Sequence, residues 1–248
     1  MQTITAKVET KLKKRPVASA QLQPGEFLVV MAGKAYGIDA AAPAGNNHTK
    51  VSLAANSGTF FAFNDHWDGL DEGRELIAKT KAEVIFGNLI DDSKLQDLNA
   101  CLNRYQINTA ARIRHFLAQV AQESGGLQWF QELASGSAYE GDLGLGNTEP
   151  GDGPRFKGAG AIQLTGRANY QHFANFIGDP SVMQGVAYVA VTYPFTSAGF
   201  WWYDNKLNAF VDQGATCREV SARVNGRDPA NGLDERQAYY DKACQVIV

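Results

Sequence analysis

Apolar residues fall on every second position near the start of the chain. Ile4, Ala6, Val8, Thr10 and Leu12 alternate with Thr5, Lys7, Glu9 and Lys11. A period of two predicts a strand with one buried face. Pro16 and Pro24-Gly25 interrupt the pattern, and Phe27 to Met31 follows as a short apolar run closed by Gly33. Ala40 to Asn47 is rich in Ala, Pro, Gly and Asn and predicts a loop. Thr49 to Leu53 and Thr59 to Phe63 predict two further strands around Asn56-Ser57-Gly58. Together these describe a small all-β barrel over residues 1–69, ending near Trp67. Closing such a short sheet on itself would remove its exposed edges.

The period changes after Leu70. Asp71 to Lys81 has little β-branching and predicts a linking helix within 70–82. Ser93 is a capping residue ahead of a stripe formed by Leu95, Leu98, Leu102 and Tyr105. Thr109 precedes a second stripe, Ile113, Phe116, Leu117, Val120 and Ala121, which Gly125-Gly126 terminates. Leu133 to Gly160 is glycine-rich and far longer than an ordinary connection, a length found mostly in functional or disordered loops. Helical spacing resumes at Arg167 and ends in a helix over Asp234 to Val246. The fold class predicted is α+β, with a mainly helical domain over 83–248 after the small β module.

Composition narrows the function. The chain has 248 residues, 44% hydrophobic and 20% charged, which suits one large domain or a small one beside a medium one. A net charge of -3 gives no electrostatic case for nucleic-acid binding. One basic run, Lys11-Leu12-Lys13-Lys14-Arg15, reads either as a solvated strand end or as a contact for an anionic polymer. No apolar stretch has the length of a membrane span. Met1 to Lys7 lacks the apolar core of a signal peptide, so the expected export route is another one or a leader already removed. Cys101, Cys217 and Cys244 are too few for a disulfide framework and lack zinc-site spacing. Cys217 and Cys244 either pair, if the last segment folds back, or remain buried thiols. His48, His66, His115 and His172 show no ligand spacing, and no nucleophile elbow or phosphate loop occurs, so neither a metal nor a cofactor is expected. A monomer is expected.

Three features carry candidate chemistry. Glu123 lies about two helical turns beyond Phe116, at the end of an apolar stripe. It reads either as a fraying end whose side chain escapes to water or as a carboxyl partly desolvated to hold a proton, as a general acid must. Glu140 lies inside the long loop in Ser137-Ala138-Tyr139-Glu140-Gly141. A loop carboxylate is ordinarily solvated, but cleavage of a glycosidic bond needs two carboxyl groups flanking that bond. Glu132 and Glu149 compete for the same role, and spacing does not choose among them. Finally, Gly158 to Arg167 predicts a short strand-like segment presenting Gln163 and Thr165 on one face, suited to a sugar and a water, or else a buried turn with locally satisfied polar groups. Tyr193-Pro194 and Phe200-Trp201-Trp202-Tyr203 read mainly as core, with sugar stacking as the alternative.

His115 to Gly126 resembles the catalytic helix of family 19 glycoside hydrolases, the family of chitinases and endolysin relatives. Ala138-Tyr139-Glu140-Gly141, Leu145-Gly146-Asn147 and Pro150-Gly151-Asp152-Gly153 resemble the loop after it. Phe156-Lys157-Gly158, Ile162 to Arg167 and Asn169-Tyr170 resemble the signature strand, and Val224-Asn225-Gly226 with Asn231 to Arg236 resembles the C-terminal motif. The match runs in order over about residues 80–248. It implies a lysozyme-like two-lobed fold and an inverting mechanism on β-1,4 bonds of N-acetylglucosamine-containing polysaccharide. Glu123 matches the general acid and Glu140 the base that activates water. Thr165 matches a water-holding hydroxyl. Gln163, Asn169 and Asn225 match sugar contacts, as does Tyr139 beside Glu140, and Arg236 matches an arginine supporting the carboxylates. The chain departs from the pattern at Ala159, Asp142 and Arg227, where many relatives carry Arg, Arg and Gly; these changes bear on rate and substrate preference. Less specifically, His48-Thr49-Lys50-Val51 and His66-Trp67 resemble SH3-like modules of bacterial wall hydrolases. That resemblance implies wall or polysaccharide binding, with a packing spacer as the alternative. The expected substrate is chitin or chito-oligosaccharide, outside the cell or in a wall. Peptidoglycan is the runner-up, and a carbohydrate-binding protein without catalysis is the reading from another class.

Overall fold

Seven strands form the first part of the chain in a computed structural model whose described residues are 2–44, 47–70 and 75–248. They are β1 (Gln2–Ala6), β2 (Thr10–Lys13), β3 (Phe27–Val30), β4 (Ala35–Pro43), β5 (His48–Leu53), β6 (Thr59–Phe63) and β7 (Trp67–Asp68). The backbone divides into two units, Met1–Ile77 and Ala78–Val248. In the first, all pairings are antiparallel, in the order β3-β2-β6-β5-β4-β1-β7. Alternation sends one face of each strand inward, so Ile4, Leu12, Val30, Ile38, Val51, Ala62 and Trp67 share one buried cluster. A single sheet whose strands all feed one cluster must curl over it.

The expected closed barrel is corrected by this strand order. Among the described residues β3 and β7 are edges and do not pair with each other. β7 has only two residues, and β3 leaves Leu28 and Val29 at least half exposed, so neither edge offers a full partner. Two element boundaries also differ from expectation. The Ile4–Leu12 run is not one strand, because Ala6 N–H donates to Lys34 O at 3.0 Å and Lys7 N–H to His66 O at 2.9 Å, turning the chain between β1 and β2. Ala40 to Pro43 is strand rather than loop, paired in register as Ala41↔Val51 and Ala42↔Lys50. Pairing to β5 overrides the weak β-propensity of alanine. Residues 45 and 46 of that predicted loop lie outside the described residues.

The second unit is helical: α1 (Lys79–Phe86), α2 (Asp92–Arg104), α3 (Ala110–Glu123), α4 (Asp152–Arg155), α5 (Arg167–Ile177), α6 (Val186–Thr192), α7 (Thr196–Asp204), α8 (Leu207–Asp212), α9 (Cys217–Asn225) and α10 (Leu233–Val246). Of the predicted linking helix, residues 71–74 lie outside the described ones, and helix begins only at Lys79. The cap of α2 is Asp91, not Ser93, since the Asp91 side chain accepts from Lys94 N–H at 2.8 Å. Thr109 caps α3 as expected. Ile113, Phe116, Leu117, Val120 and Ala121 are buried along α3, and α10 packs on it. At about 1.5–3 kcal/mol for each large apolar side chain, this stripe holds the helix through its last turn, where Glu123 sits.

The glycine-rich stretch folds locally instead of staying open. Ser137–Tyr139 and Leu143–Leu145 form single 3-10 turns, and α4 adds one α-helical turn. Buried Asp152 accepts from Arg167 Nε at 2.7 Å, and this bond holds its carboxyl below the usual range. All three cysteines are free; Cys101 and Cys217 are buried while Cys244 is exposed, so the pairing of Cys217 with Cys244 is absent and only two thiols are buried.

Candidate active site

Three sets of residues carry the candidate chemistry. The first lies at the end of α3. Glu123 Oε1 accepts from Arg236 Nη2 on α10, and the Glu123 side chain keeps 24% of its exposure while that of Arg236 keeps 2%. All three nitrogens of Arg236 are engaged: Nη1 donates to Gln119 Oε1 at 2.6 Å and Nε to Asn231 O at 3.0 Å. Gln119 Nε2 in turn donates to Ser221 Oγ at 3.0 Å. Asn225 joins through its side-chain oxygen, which accepts from Asn231 N–H at 2.9 Å. The planar guanidinium is thus fixed on three sides by acceptors that it alone can bridge. Glu123 is therefore neither a fraying end nor an isolated desolvated carboxyl. It is a partly exposed carboxyl group held at a fixed place by a buried cation.

The second set gathers around Gly158. Ser124 starts it: buried at the end of α3, its carbonyl accepts from Gln128 N–H and Trp129 N–H, each at 2.9 Å, and its Oγ from Leu127 N–H at 3.0 Å. The chain turns back at once and pairs residues 130–132 with 158–160, with Glu132 N–H to Gly158 O at 2.9 Å and Gly160 N–H to Phe130 O at 2.8 Å. Glu132 Oε2 accepts from Gly158 N–H at 2.9 Å, and Glu132 Oε1 from Tyr139 Oη at 3.1 Å. Burial, and then the bond to Glu132, raise the Tyr139 hydroxyl above its ordinary value. A Cβ at 158 would collide with the Gln163 side-chain oxygen and stand 3.2 Å from Glu132 Oε2, so any side chain there would displace Gln163. Gln163 and Glu132 therefore meet at the same spot.

The expected strand face presenting Gln163 and Thr165 is corrected to a tight turn closed by the bridge Ala159↔Leu164, with Gln163 at φ 55°. Their polar groups have local backbone partners. Gln163 Nε2 donates to Gly160 O at 3.0 Å, Thr165 Oγ1 to Gln163 O at 2.9 Å, and Asn169 Nδ2 to Thr165 O at 2.8 Å. The three still line one cavity of about 320 Å³, together with Trp201 and Asp204. A second cavity, about 530 Å³, is lined by Glu132, Trp129 and Lys94. Trp129 is 46% exposed there. Sequence reasoning passed over it; the available signal was an indole midway between two candidate carboxyls. Of the aromatic run, Phe200 and Trp202 are core while Tyr203 is 53% exposed.

The third set is Glu140. Its Oε1 accepts from Gly151 N–H at 2.6 Å and its Oε2 from Gly153 N–H at 2.9 Å, at the start of α4. The fit is close: a Cβ on Gly153 would stand 2.6 Å from Gly136 O and 2.7 Å from Glu140 N. Both oxygens of Glu140 thus tie two parts of the long loop together. Asp142 caps the next turn, accepting from Gly144 N–H at 2.8 Å. Ala159 is fully buried between the two bridges, and its carbonyl and N–H are both spent on Leu164.

No family model matches this chain. Over 112 residues, 44% of the chain, it is 31% identical to a glycosyl hydrolase family 19 domain-containing protein of Haemophilus influenzae, covering 51% of that protein. Over 143 residues, 54% of the chain, it is 29% identical to an endochitinase of Arabidopsis thaliana, covering 47% of it. The chain thus spans about half the length of these curated relatives. Among solved structures it resembles chitinase C from Streptomyces griseus, with a TM-score of 0.56 and 17% identity over 86% of this chain and 92% of the other. It also resembles a family 19, class IV chitinase from Zea mays, with a TM-score of 0.53 and 18% identity over 69% and 92%. The fold is the α+β, lysozyme-like fold of these chitinases.

Proposed function

We propose that this chain is a glycoside hydrolase of the family 19 kind, cleaving β-1,4 bonds of N-acetylglucosamine polymers with inversion. Chitin and chito-oligosaccharides are the substrates read for it, and such polymers lie outside the cell or in walls. The observation that carries the reading is Glu123, fixed by buried Arg236 at the end of α3 with part of its carboxyl still open to a substrate. In this reading Glu123 gives its proton to the glycosidic oxygen as the C–O bond breaks. A second carboxylate takes a proton from the water that attacks the anomeric carbon from the opposite face.

For that second role the geometry favours Glu132 over Glu140. The turn built on Ser124 returns the chain to Glu132 only nine residues after Glu123, beside exposed Trp129, Tyr139 and Gln163. An indole next to a carboxylate suits a sugar ring, whose apolar face stacks on aromatics. Glu140 has both oxygens on the backbone of Gly151 and Gly153, a loop tie, whereas Glu132 has one backbone partner and one side-chain partner, the Tyr139 hydroxyl.

The test is product analysis on chitohexaose with wild type and Glu123→Gln. Initial α-anomers by NMR, with the rate falling about 10²–10⁴-fold in the variant, are expected. Initial β-anomers would remove the inverting mechanism. Release of muropeptides from purified peptidoglycan without chitohexaose cleavage would move the substrate to the bacterial wall. Binding of either polymer without cleavage would make the chain a carbohydrate-binding protein.

A further inference from the structure

The basic run on β2 has a use that hydrolysis does not absorb. Lys11 and Lys14 of this run are partly or fully exposed, and Arg15 pairs with Glu26 at 2.8 Å. Lys13 turns the other way. It is 4% exposed, on the face of the sheet opposite to Leu12 and the core cluster. Its Nζ donates to Val17 O at 2.9 Å and bonds His48 Nε2 at 2.9 Å. An ammonium has three donors and no acceptor, so His48 Nε2 accepts, and the His48 ring proton is on Nδ1. Among the described residues these two bonds leave one donor of Lys13 over.

The surroundings form a pocket. Lys13, His48, Phe63, His66, Val17 and Gln21 line a cavity of about 520 Å³ between β2, β5 and β6 and the segment over Val17 to Gln21. The Phe63 ring meets both imidazoles edge-on, at 5.3 Å from His48 and 5.0 Å from His66, and the Lys13 ammonium lies 5.6 Å from it. His66 Nδ1 is tied to Thr10 Oγ1 at 2.8 Å, which orients the ring. Among the described residues no Asp or Glu lines the cavity. A buried cation without a carboxylate is costly unless an anion comes to it. Burial, with Lys11 adding to it, does lower the Lys13 ammonium from its ordinary value.

We propose that this pocket on the N-terminal sheet binds a carboxylate carried on a small apolar body, with Lys13 taking the carboxylate and Phe63, Val17 and Ala18 covering the rest. One formal cation at the base matches a monoanion better than a dianion such as phosphate. A volume of about 520 Å³ accommodates a short peptide end or a small organic acid. The site lies in the unit Met1–Ile77 and does not depend on the hydrolase reading.

The test is calorimetric titration of the full chain with N-acetyl-alanyl-alanine, with the same dipeptide as its C-terminal amide, with propionate and with inorganic phosphate. The free acid is expected to bind at least about tenfold more tightly than the amide, the ratio that one charge-assisted hydrogen bond supplies. Propionate binding as well as the dipeptide would assign the site to free organic acids; a clear preference for the dipeptide would assign it to peptide ends. Lys13→Met, matched in length and without charge, should abolish the preference for acid over amide. Equal affinity for acid and amide, tighter binding of phosphate, or no binding of any probe by wild type would overturn the proposal, whether or not the Lys13→Met variant folds.

Discussion

The two ends of the turn after α3 hold carboxylates by opposite means. At Glu123 the partner is a side-chain cation, Arg236, brought from the last helix and locked by Gln119 and Asn231. At Glu132 and Glu140 the partners are backbone N–H groups of glycines, at 158 and at 151 and 153, with one tyrosine hydroxyl added. A cation fixes one carboxylate and can be deleted by a single substitution. Amide donors are part of the chain itself and are altered only by changing the loop. The helix end is therefore tunable by side chains, and the loop by its glycines.

The strongest break of this contrast is at the second carboxylate. Glu132→Gln is expected to lower kcat on chitohexaose about 10²–10⁴-fold while leaving the melting temperature close to wild type, because its oxygen can keep the bond from Gly158 N–H and its amide nitrogen can donate to Tyr139 Oη, which also accepts. Glu140→Gln should lower kcat less than tenfold but lower the melting temperature, because an amide nitrogen cannot accept from Gly151 or Gly153. The reverse outcome would return the base role to Glu140. Next is Arg236→Met, which leaves Glu123 and Gln119 without their shared donor. Removing one partner of a buried pair costs about 3–5 kcal/mol; with Glu123 partly solvated, roughly 2–3 kcal/mol of unfolding free energy should be lost in urea titration, together with activity. Gly153→Ala should cost about 2 kcal/mol, measurable the same way, since its methyl group would press against rigid backbone at Gly136 and Glu140.

The smallest effect sharpens the comparison from outside the site. Asp97 on α2 accepts from Phe195 N–H at 2.6 Å and Thr196 N–H at 3.1 Å, and burial pushes its carboxyl up to about 6. Above its unfolded value near 4, the folded state binds the proton more tightly, so this residue's contribution to stability is full below pH 4 and is lost as pH rises through 6. Asp152 and Asp212, held down by Arg167 and Arg112, behave oppositely and lose stability as pH falls. Asp97→Asn can keep all three bonds, its oxygen accepting from the two N–H groups and its amide donating to Thr196 Oγ1. Denaturation across pH 4–7 should show the variant's profile losing a slope worth on the order of 2 kcal/mol. An unchanged profile would assign the slope to other groups.

The helical core was readable because its signals are local. Thr109 and the five-residue stripe of α3 define both the start and the buried face of that helix. Asp91 and Ser93 are both good caps, and only the folded chain shows which one reaches Lys94 N–H. Ala40 to Pro43 looked like loop because pairing with β5 is a tertiary fact. The site divides in the same way. Glu123 stood out by its place at the end of a stripe. Glu132, the base proposed here in place of Glu140, did not, since the grounds for preferring it are the return of residues 158–160 to its side and its bond from Gly158 N–H, neither of which leaves a periodic trace. Gln163 and Thr165 were singled out for a strand face, whereas they line a cavity from a turn.

The reach of Arg236 ties the working of α3 to a piece of chain made 113 residues later. During synthesis, Glu123, Ser124 and the turn toward Glu132 emerge from the ribosome long before α10 does. Until Leu233 to Val246 has been translated and has docked, the carboxylate at the end of α3 lacks its cation and Gln119 its donor. In the hydrolase proposed here, competence should therefore arrive late: chains ending before Leu233 are expected to be inert, and the released 248-residue chain active.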